Sequence, residues 1–266
     1  MNIIVCVKQV PDPEIPPSKF KIDPEMKIVL PPPGVLPVIS VFDERAVEAA
    51  CRLKDKHDAK ITALTMGSGK VSDVVKHALS MGADEGFILQ DAAFENADSY
   101  GTAYFLSKAI QKIGEYDLIL CGRQAADWDQ GQVGSILAEM LSIPVVTFAR
   151  DIELAEGNLR VARVLKDGLE IVEGPMPCVV TVSSELGLPR LPTGMGIMTA
   201  ARKQIPVWTA QDIEADLSQA EPNGSYNEIT DLVVPAREDH CEIISGKTTA
   251  EAAVNLAIKL KELNVI

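Results

Sequence analysis

The sequence predicts an α/β protein: a mostly parallel, doubly wound sheet with appended antiparallel hairpins and a C-terminal arm. Three observations predict it. Short β-branched runs alternate with helix-period segments as far as residue 150, the pattern of strands buried on both faces and joined by crossover helices. Beyond Arg150 the pattern becomes strand–turn–strand, which reads as antiparallel hairpins. Beyond residue 211 apolar periodicity fades until one amphipathic segment closes the chain. The expected division is therefore an α/β domain over 1–211 and an arm over 212–266.

Residues 3–7 form the first expected strand. The stretch 11–37 then holds nine of the 17 prolines; proline fixes φ and removes a donor, so an extended excursion is expected, with a hairpin around 19–30. A loop of that size is either a binding element or a cover. Helical spacing of Ala46, Val47, Ala49, Ala50 and Leu53 predicts a helix over 43–56, capped by Ser40 or Asp43. Strands follow at 61–66, 86–89, 118–121 and 145–148, and helices at 71–81, 99–113 and 132–141. In the second half, 152–154, 159–165, 169–173 and 178–182 read as hairpin strands. Turn signals stand at Glu156-Gly157-Asn158 and Asp167-Gly168. A Gly- and Pro-rich loop is expected over 183–198, and an Asn223-Gly224 turn inside the polar stretch 208–238. The closing helix spans 248–263, with Ala252, Ala253, Leu256, Ala257, Leu260 and Leu263 as its stripe.

Composition narrows the function. The 266 residues carry a formal charge of −13, a field that repels phosphate backbones and excludes nucleic acid as an expected partner. Cys6, Cys51, Cys121, Cys178 and Cys241 are odd in number and widely spaced, so free thiols in a reducing compartment are expected. The chain begins at once with a strand pattern, and the uncharged run 29–42 is too short to span a bilayer and holds Pro31, Pro32, Pro33 and Pro37. The expectation is a soluble, cytoplasmic protein that is not membrane-embedded.

The most informative segment is 121–134, CGRQAADWDQGQVG, between an expected buried strand and a helix. Ligands of open α/β sheets bind beyond the carboxyl ends of the strands. Gly122, Gly131 and Gly134 let backbone approach a ligand, and the amides of Gln132 and Val133 open a helix whose free N–H groups suit a phosphate. Asp127 and Asp129 either accept from ribose hydroxyls or cap the helix. A plain strand–helix turn is the alternative to nucleotide binding. The turn 66–69 borders the same edge, but Lys70 is followed by Val71, so it is not a P-loop. His57, His77 and His240 are scattered, no metal-ligand spacing occurs, and no serine stands in a G-x-S-x-G elbow. A binding or carrier role is therefore expected over hydrolysis.

Five pieces in order carry a resemblance: IIVCVKQV at 3–10, FDERAVEAA at 42–50, ALSMGAD at 78–84, the segment 121–134, and Pro189-Arg190 with Gly196-Ile197-Met198. Together they resemble the small (beta) subunit of electron transfer flavoprotein. The resemblance implies an adenine-nucleotide-binding, Rossmann-like fold and a heterodimer whose large (alpha) subunit binds the redox-active FAD. In this chain it implies a buried AMP that does no chemistry, and no catalytic residue. Carried over position by position, the AMP site is Cys6, Ser40, Val41, Phe42, Asp43, Met66, Gly122, Arg123, Gln124, Ala125, Ala126, Asp127, Trp128, Asp129, Gln130, Gly131, Gln132 and Val133. The loop 183–198 corresponds to the family's partner-recognition loop, with Leu191 or Met195 as apolar anchor. Gly194-Met195 replaces the Leu-Pro of many members, and Pro13 replaces a tyrosine. Implied partners are flavoprotein dehydrogenases of the acyl-CoA type as donors and a quinone oxidoreductase as acceptor. A bifurcating branch binds a second FAD in place of AMP and takes hydride from NADH. Trp128, between Asp127 and Asp129 where that branch has glycine, favours AMP by its bulk, although Gln132-Val133-Gly134 resembles the bifurcating branch. A stand-alone ATP-cleaving enzyme is a further alternative; such enzymes place a Ser-Gly-Gly loop after the first strand, and here Lys8-Gln9-Val10 follows.

Overall fold

Asn2–Cys6 (β1) is an uncharged run with four of its five residues buried, and its side chains divide between two cores. Ile3, Val5 and Val7 join one apolar cluster, and Ile4 and Cys6 the other, because successive strand residues point to opposite faces. A computed structural model describes the chain except residues 17, 18, 26, 31, 96, 156, 220–225, 228 and 235–240. The expected Asn223-Gly224 turn and His240 lie outside the described residues.

Beyond β1 come Gln9–Val10 (β2), Lys21–Asp23 (β3), Ile28–Leu30 (β4), Val38–Ile39 (β5), Val41–Lys56 (α1), Lys60–Met66 (β6), Ser72–Met81 (α2) and Glu85–Leu89 (β7). Next are Ser99–Ile113 (α3), Leu118–Gly122 (β8), Val133–Leu141 (α4), Val145–Ala155 (β9), Asn158–Leu165 (β10), Gly168–Gly174 (β11) and Cys178–Val182 (β12). Gly194–Arg202 (α5), Val207–Trp208 (β13) and Thr249–Glu262 (α6) complete the order. Among the described residues one sheet runs β11-β10-β9-β12-β8-β1-β6-β7-β13. The pairs from β12 to β13 are parallel, as the strand–helix alternation predicts. Strand β1 pairs with β6 on one side and β8 on the other, so chain order reverses at β1 and makes a topological switch point. The excursion contains the expected hairpin, β3 against β4, and returns through β2 paired with β5.

Three expectations are corrected. The runs 145–148 and 152–154 are one strand, β9, whose first part pairs parallel with β12 and whose remainder pairs antiparallel with β10. Residues 178–182 do not continue the hairpins; β12 lies between β8 and β9, parallel to both. All five of its residues, CVVTV, are buried, and an uncharged run buried on both faces belongs inside a parallel sheet. Thirdly, the expected loop 183–198 turns helical at Gly194. Thr193 caps α5 by accepting the Gly196 N–H at 3.0 Å.

The chain forms two compact units, Met1–Leu232 and Val233–Ile266. The first runs past the boundary expected at residue 212: Ala210 and Ile213 are buried with α3 side chains in the second apolar cluster. In the second unit α6 is capped by Thr248 and has no buried residue.

Candidate functional site

The carboxyl ends of β1 and β8 meet the start of α1 at one side chain. Asp43 accepts the Lys8 N–H at 2.9 Å and the Gly122 N–H at 2.9 Å, so one carboxylate ties both strand ends to the first turn of the helix. Burial pushes this carboxyl up to about 7, against the two N–H donors that favour its anion. Gly122 makes the approach possible: a Cβ there would stand 2.4 Å from Asp43 Oδ1 and 2.7 Å from Phe42 Cβ. Ser40 precedes α1 without capping it, and its Oγ is buried with no hydrogen-bond partner among the described residues. The neighbouring Cys6 thiol and burial push the Cys121 thiol well above the usual thiol range.

From Gly122 the chain forms a folded bend. The Arg123 N–H donates to the Val182 carbonyl at 2.9 Å and the Asp129 N–H to the Ala125 carbonyl at 3.0 Å. Gln124 Nε2 donates to Asp129 Oδ1 at 2.8 Å. Asp129 and Gly131 have φ of 52° and 64°, left-handed conformations that asparagine-like and glycine residues adopt most readily. Ser99, in the first turn of α3, donates to Gln130 Oε1 at 2.5 Å. Lys8 Nζ pairs with Asp127 at 2.7 Å, joining the end of β1 to the bend. The Arg123 guanidinium lies 5.1 Å from the Phe42 ring centre and 5.6 Å from that of Phe148. Phe148 holds φ 60° at the irregularity of β9, and its N–H donates to Thr181 Oγ1 at 3.1 Å. At the far side of the bend, Gln132 opens α4 with no side-chain cap.

The structure therefore gathers most of the sequence-derived site. Ser40, Asp43, Gly122 and Cys6 stand at the joined strand ends. Val41 and Phe42 belong to the first turn of α1, and Met66 ends β6, the strand beside β1. Arg123, Gln124, Ala125 and Ala126 form the half-buried side of the bend, while Asp127, Trp128, Asp129, Gln130, Gly131 and Gln132 form its exposed side and Val133 begins α4. Leu191 and Met195 are elsewhere, both exposed, Leu191 on the segment leading into α5 and Met195 in its first turn. Sequence reasoning missed Lys8, Ser99, Phe148 and Thr181. Lys8, as the first charged residue after a buried strand, was legible; nothing local marked Phe148.

Chemically this place offers two helix N-termini without side-chain caps and a buried hydroxyl with no partner among the described residues. Those features suit an anionic, hydroxyl-bearing ligand. Among the described residues no group of three or more His, Cys, Asp and Glu is placed to hold a metal ion, and no helix is long and apolar enough to cross a membrane.

Fold and side-chain arrangement together define a doubly wound α/β protein with a polar constellation at its topological switch point. Residues 36–213 match the electron transfer flavoprotein domain. The chain is 40% identical, over the full length of both, to an electron transfer flavoprotein subunit beta of Thermoanaerobacterium thermosaccharolyticum. It is 37% identical, again over both full lengths, to subunit CarD of the caffeyl-CoA reductase–Etf complex of Acetobacterium woodii. It is 33% identical over both full lengths to the acryloyl-CoA reductase electron transfer subunit gamma of Anaerotignum propionicum. The chain belongs to the electron transfer flavoprotein family, as a beta subunit. A beta subunit implies an alpha-subunit partner and flavin in the assembled complex.

Proposed function

We propose that this chain is the non-catalytic small subunit of a heterodimeric electron carrier, binding a structural AMP between the start of α1 and the bend 122–133. FAD, held by the large subunit, supplies the redox chemistry. The observation that carries the AMP reading is the convergence of the α1 and α4 N-termini on a bend whose Ser40 hydroxyl is buried and unpartnered. An adenylate fits that inventory: its phosphate suits free backbone N–H groups, and its ribose hydroxyls suit Asp127 or Asp129. Gly122, lacking a Cβ, lets Asp43 and Phe42 close on the end of β8 and so holds the start of α1 against the bend. The proposed work of this chain is to orient and bury the adenylate and to present the apolar side chains of the loop 183–198 to flavoprotein dehydrogenases, of the acyl-CoA type. A quinone oxidoreductase is the proposed acceptor and the cytoplasm the proposed compartment.

A second reading is supported by the relatives named as subunits of CoA reductases: the same cleft holds a second FAD that accepts hydride from NADH. Trp128, on the exposed side of the bend, is far bulkier than the glycine that the resemblance gives the bifurcating branch, and supports AMP. The test is to purify the heterodimer gently, denature it in acid and identify the released adenine species by mass. One AMP and one FAD per heterodimer is the expected result; two FAD and no AMP overturn it in favour of the second reading.

A further inference from the structure

The apolar side chains of 187–198 stand out from the molecule without a core of their own. Leu188, Leu191 and Met195 are 83%, 87% and 73% exposed. Fixing a backbone costs conformational entropy, so a segment presented in one conformation needs anchors. One lies at its C-terminal end. In α5, Gly196 packs so closely on the end of α2 that a Cβ would come within 2.4 Å of the Ser80 carbonyl oxygen.

The other anchor is an ion-pair network on α1. The Arg190 N–H donates to Glu48 Oε2 at 3.0 Å, and its Nε donates to the same oxygen at 2.7 Å. Its Nη2 donates to Asp55 Oδ2 at 2.7 Å. The other oxygen of Glu48 accepts from Arg52 Nε at 2.8 Å, and Arg52 Nη1 donates to the Leu186 carbonyl at 3.0 Å. Glu48 is buried. Burial opposes its charge, but the Arg190 and Arg52 hydrogen bonds outweigh it and hold the carboxyl below its usual range. Two carboxylates on one helix face are thus bridged by a single planar fork, a geometry that a lysine ammonium does not reproduce.

The sequence around Arg190 concentrates the effect. Pro189 and Pro192 flank Arg190-Leu191, and each fixes its own φ. With so few free torsions, immobilising Arg190 orients Leu188 on one side and Leu191 on the other. We propose that Arg190, seated on Glu48 and Asp55 of α1, is the positioning residue for partner docking and sets the direction in which Leu188, Leu191 and Met195 are presented. This rests on the reading of the loop 183–198 as the docking surface.

The test uses the FAD-loaded heterodimer, with butyryl-CoA dehydrogenase and butyryl-CoA as the electron source. In Arg190→Lys and Arg190→Gln the KM for the heterodimer is expected to rise at least tenfold, with kcat within twofold and AMP content unchanged. Loop order is read separately by a spin label on Leu188→Cys in a Cys241→Ser background, Cys241 being the exposed cysteine and the other four buried. Adding Arg190→Gln is expected to mobilise the label. If Leu191→Ala and Met195→Ala raise KM but the Arg190 variants do not, the positioning role is overturned while the docking surface stands. If none of the four variants changes KM, the docking reading itself fails and the proposal with it. A raised KM with an immobile label also overturns the proposal, because Arg190 would then be touching the partner directly.

Discussion

Asp43 carries a conflict at the scale of one residue: two backbone N–H groups reward its anion, yet the carboxyl is 7% exposed and burial pushes it up to about 7. The unfolded chain releases this proton near 3.8. Between those values the folded state binds one proton more, so stability falls as pH rises through the window and levels off above about 7, at a slope near 1.4 kcal/mol per pH unit for one proton. Asp43→Asn removes that titration and leaves one of the two N–H groups without an acceptor. Urea midpoints at pH 5 and pH 7 are therefore expected to converge in the variant relative to the parent; an unaltered pH dependence would contradict the assignment. Gly122 was legible as a candidate because it sits where a strand end leads into a helix start, and Asp43 only through the resemblance. The Lys8–Asp127 pair and the ring contacts of Arg123 were not, since each joins residues far apart in sequence.

At the scale of elements, the alternation of 2.0 and 3.6 periods located most strands and helices of the first half, and α3 lies at the predicted 99–113. The failures share a cause. A run such as CVVTV at 178–182 records burial on both faces but not its neighbours, so β12 was read as a hairpin strand although it lies inside the parallel sheet. Gly194 and Gly196 were read as loop because glycine weakens a helix; in α5, Gly196 is needed instead for contact with the Ser80 carbonyl. Gly196→Ala is accordingly expected to destabilise the protein by about 1–3 kcal/mol, the cost of overpacking, despite alanine's better helix propensity. A calorimetric midpoint at or above that of the parent would contradict the close approach. The cleft at the end of β1 is to be left undisturbed by this change.

At the scale of the whole molecule, the sequence marks a change of character late in the chain; the polar residues after 212 give no sign of the buried Ile213, and the two compact units divide after Leu232. The second unit carries α6, in which Val254, Leu256, Ile258 and the adjoining Leu263 are exposed. An isolated helix of that length is marginal in water, and the proposed role of the arm is to pack on the large subunit. Deleting residues 247–266 is expected to weaken heterodimer formation more than AMP retention. Equal capture of the large subunit by truncated and full-length chains would count against it.

The central claim is that the bend beyond β8 and the start of α1 enclose an adenylate. Its most direct test is the AMP content of the Gly122→Ala heterodimer, measured beside that of Gly196→Ala. A methyl group at 122 collides with Asp43 and Phe42 where β8 meets the start of α1, so Gly122→Ala is expected to lose AMP while keeping one FAD per heterodimer. Gly196→Ala, distorted elsewhere, is expected to retain both. Full AMP occupancy in the Gly122→Ala heterodimer would place the nucleotide somewhere else and contradict the claim.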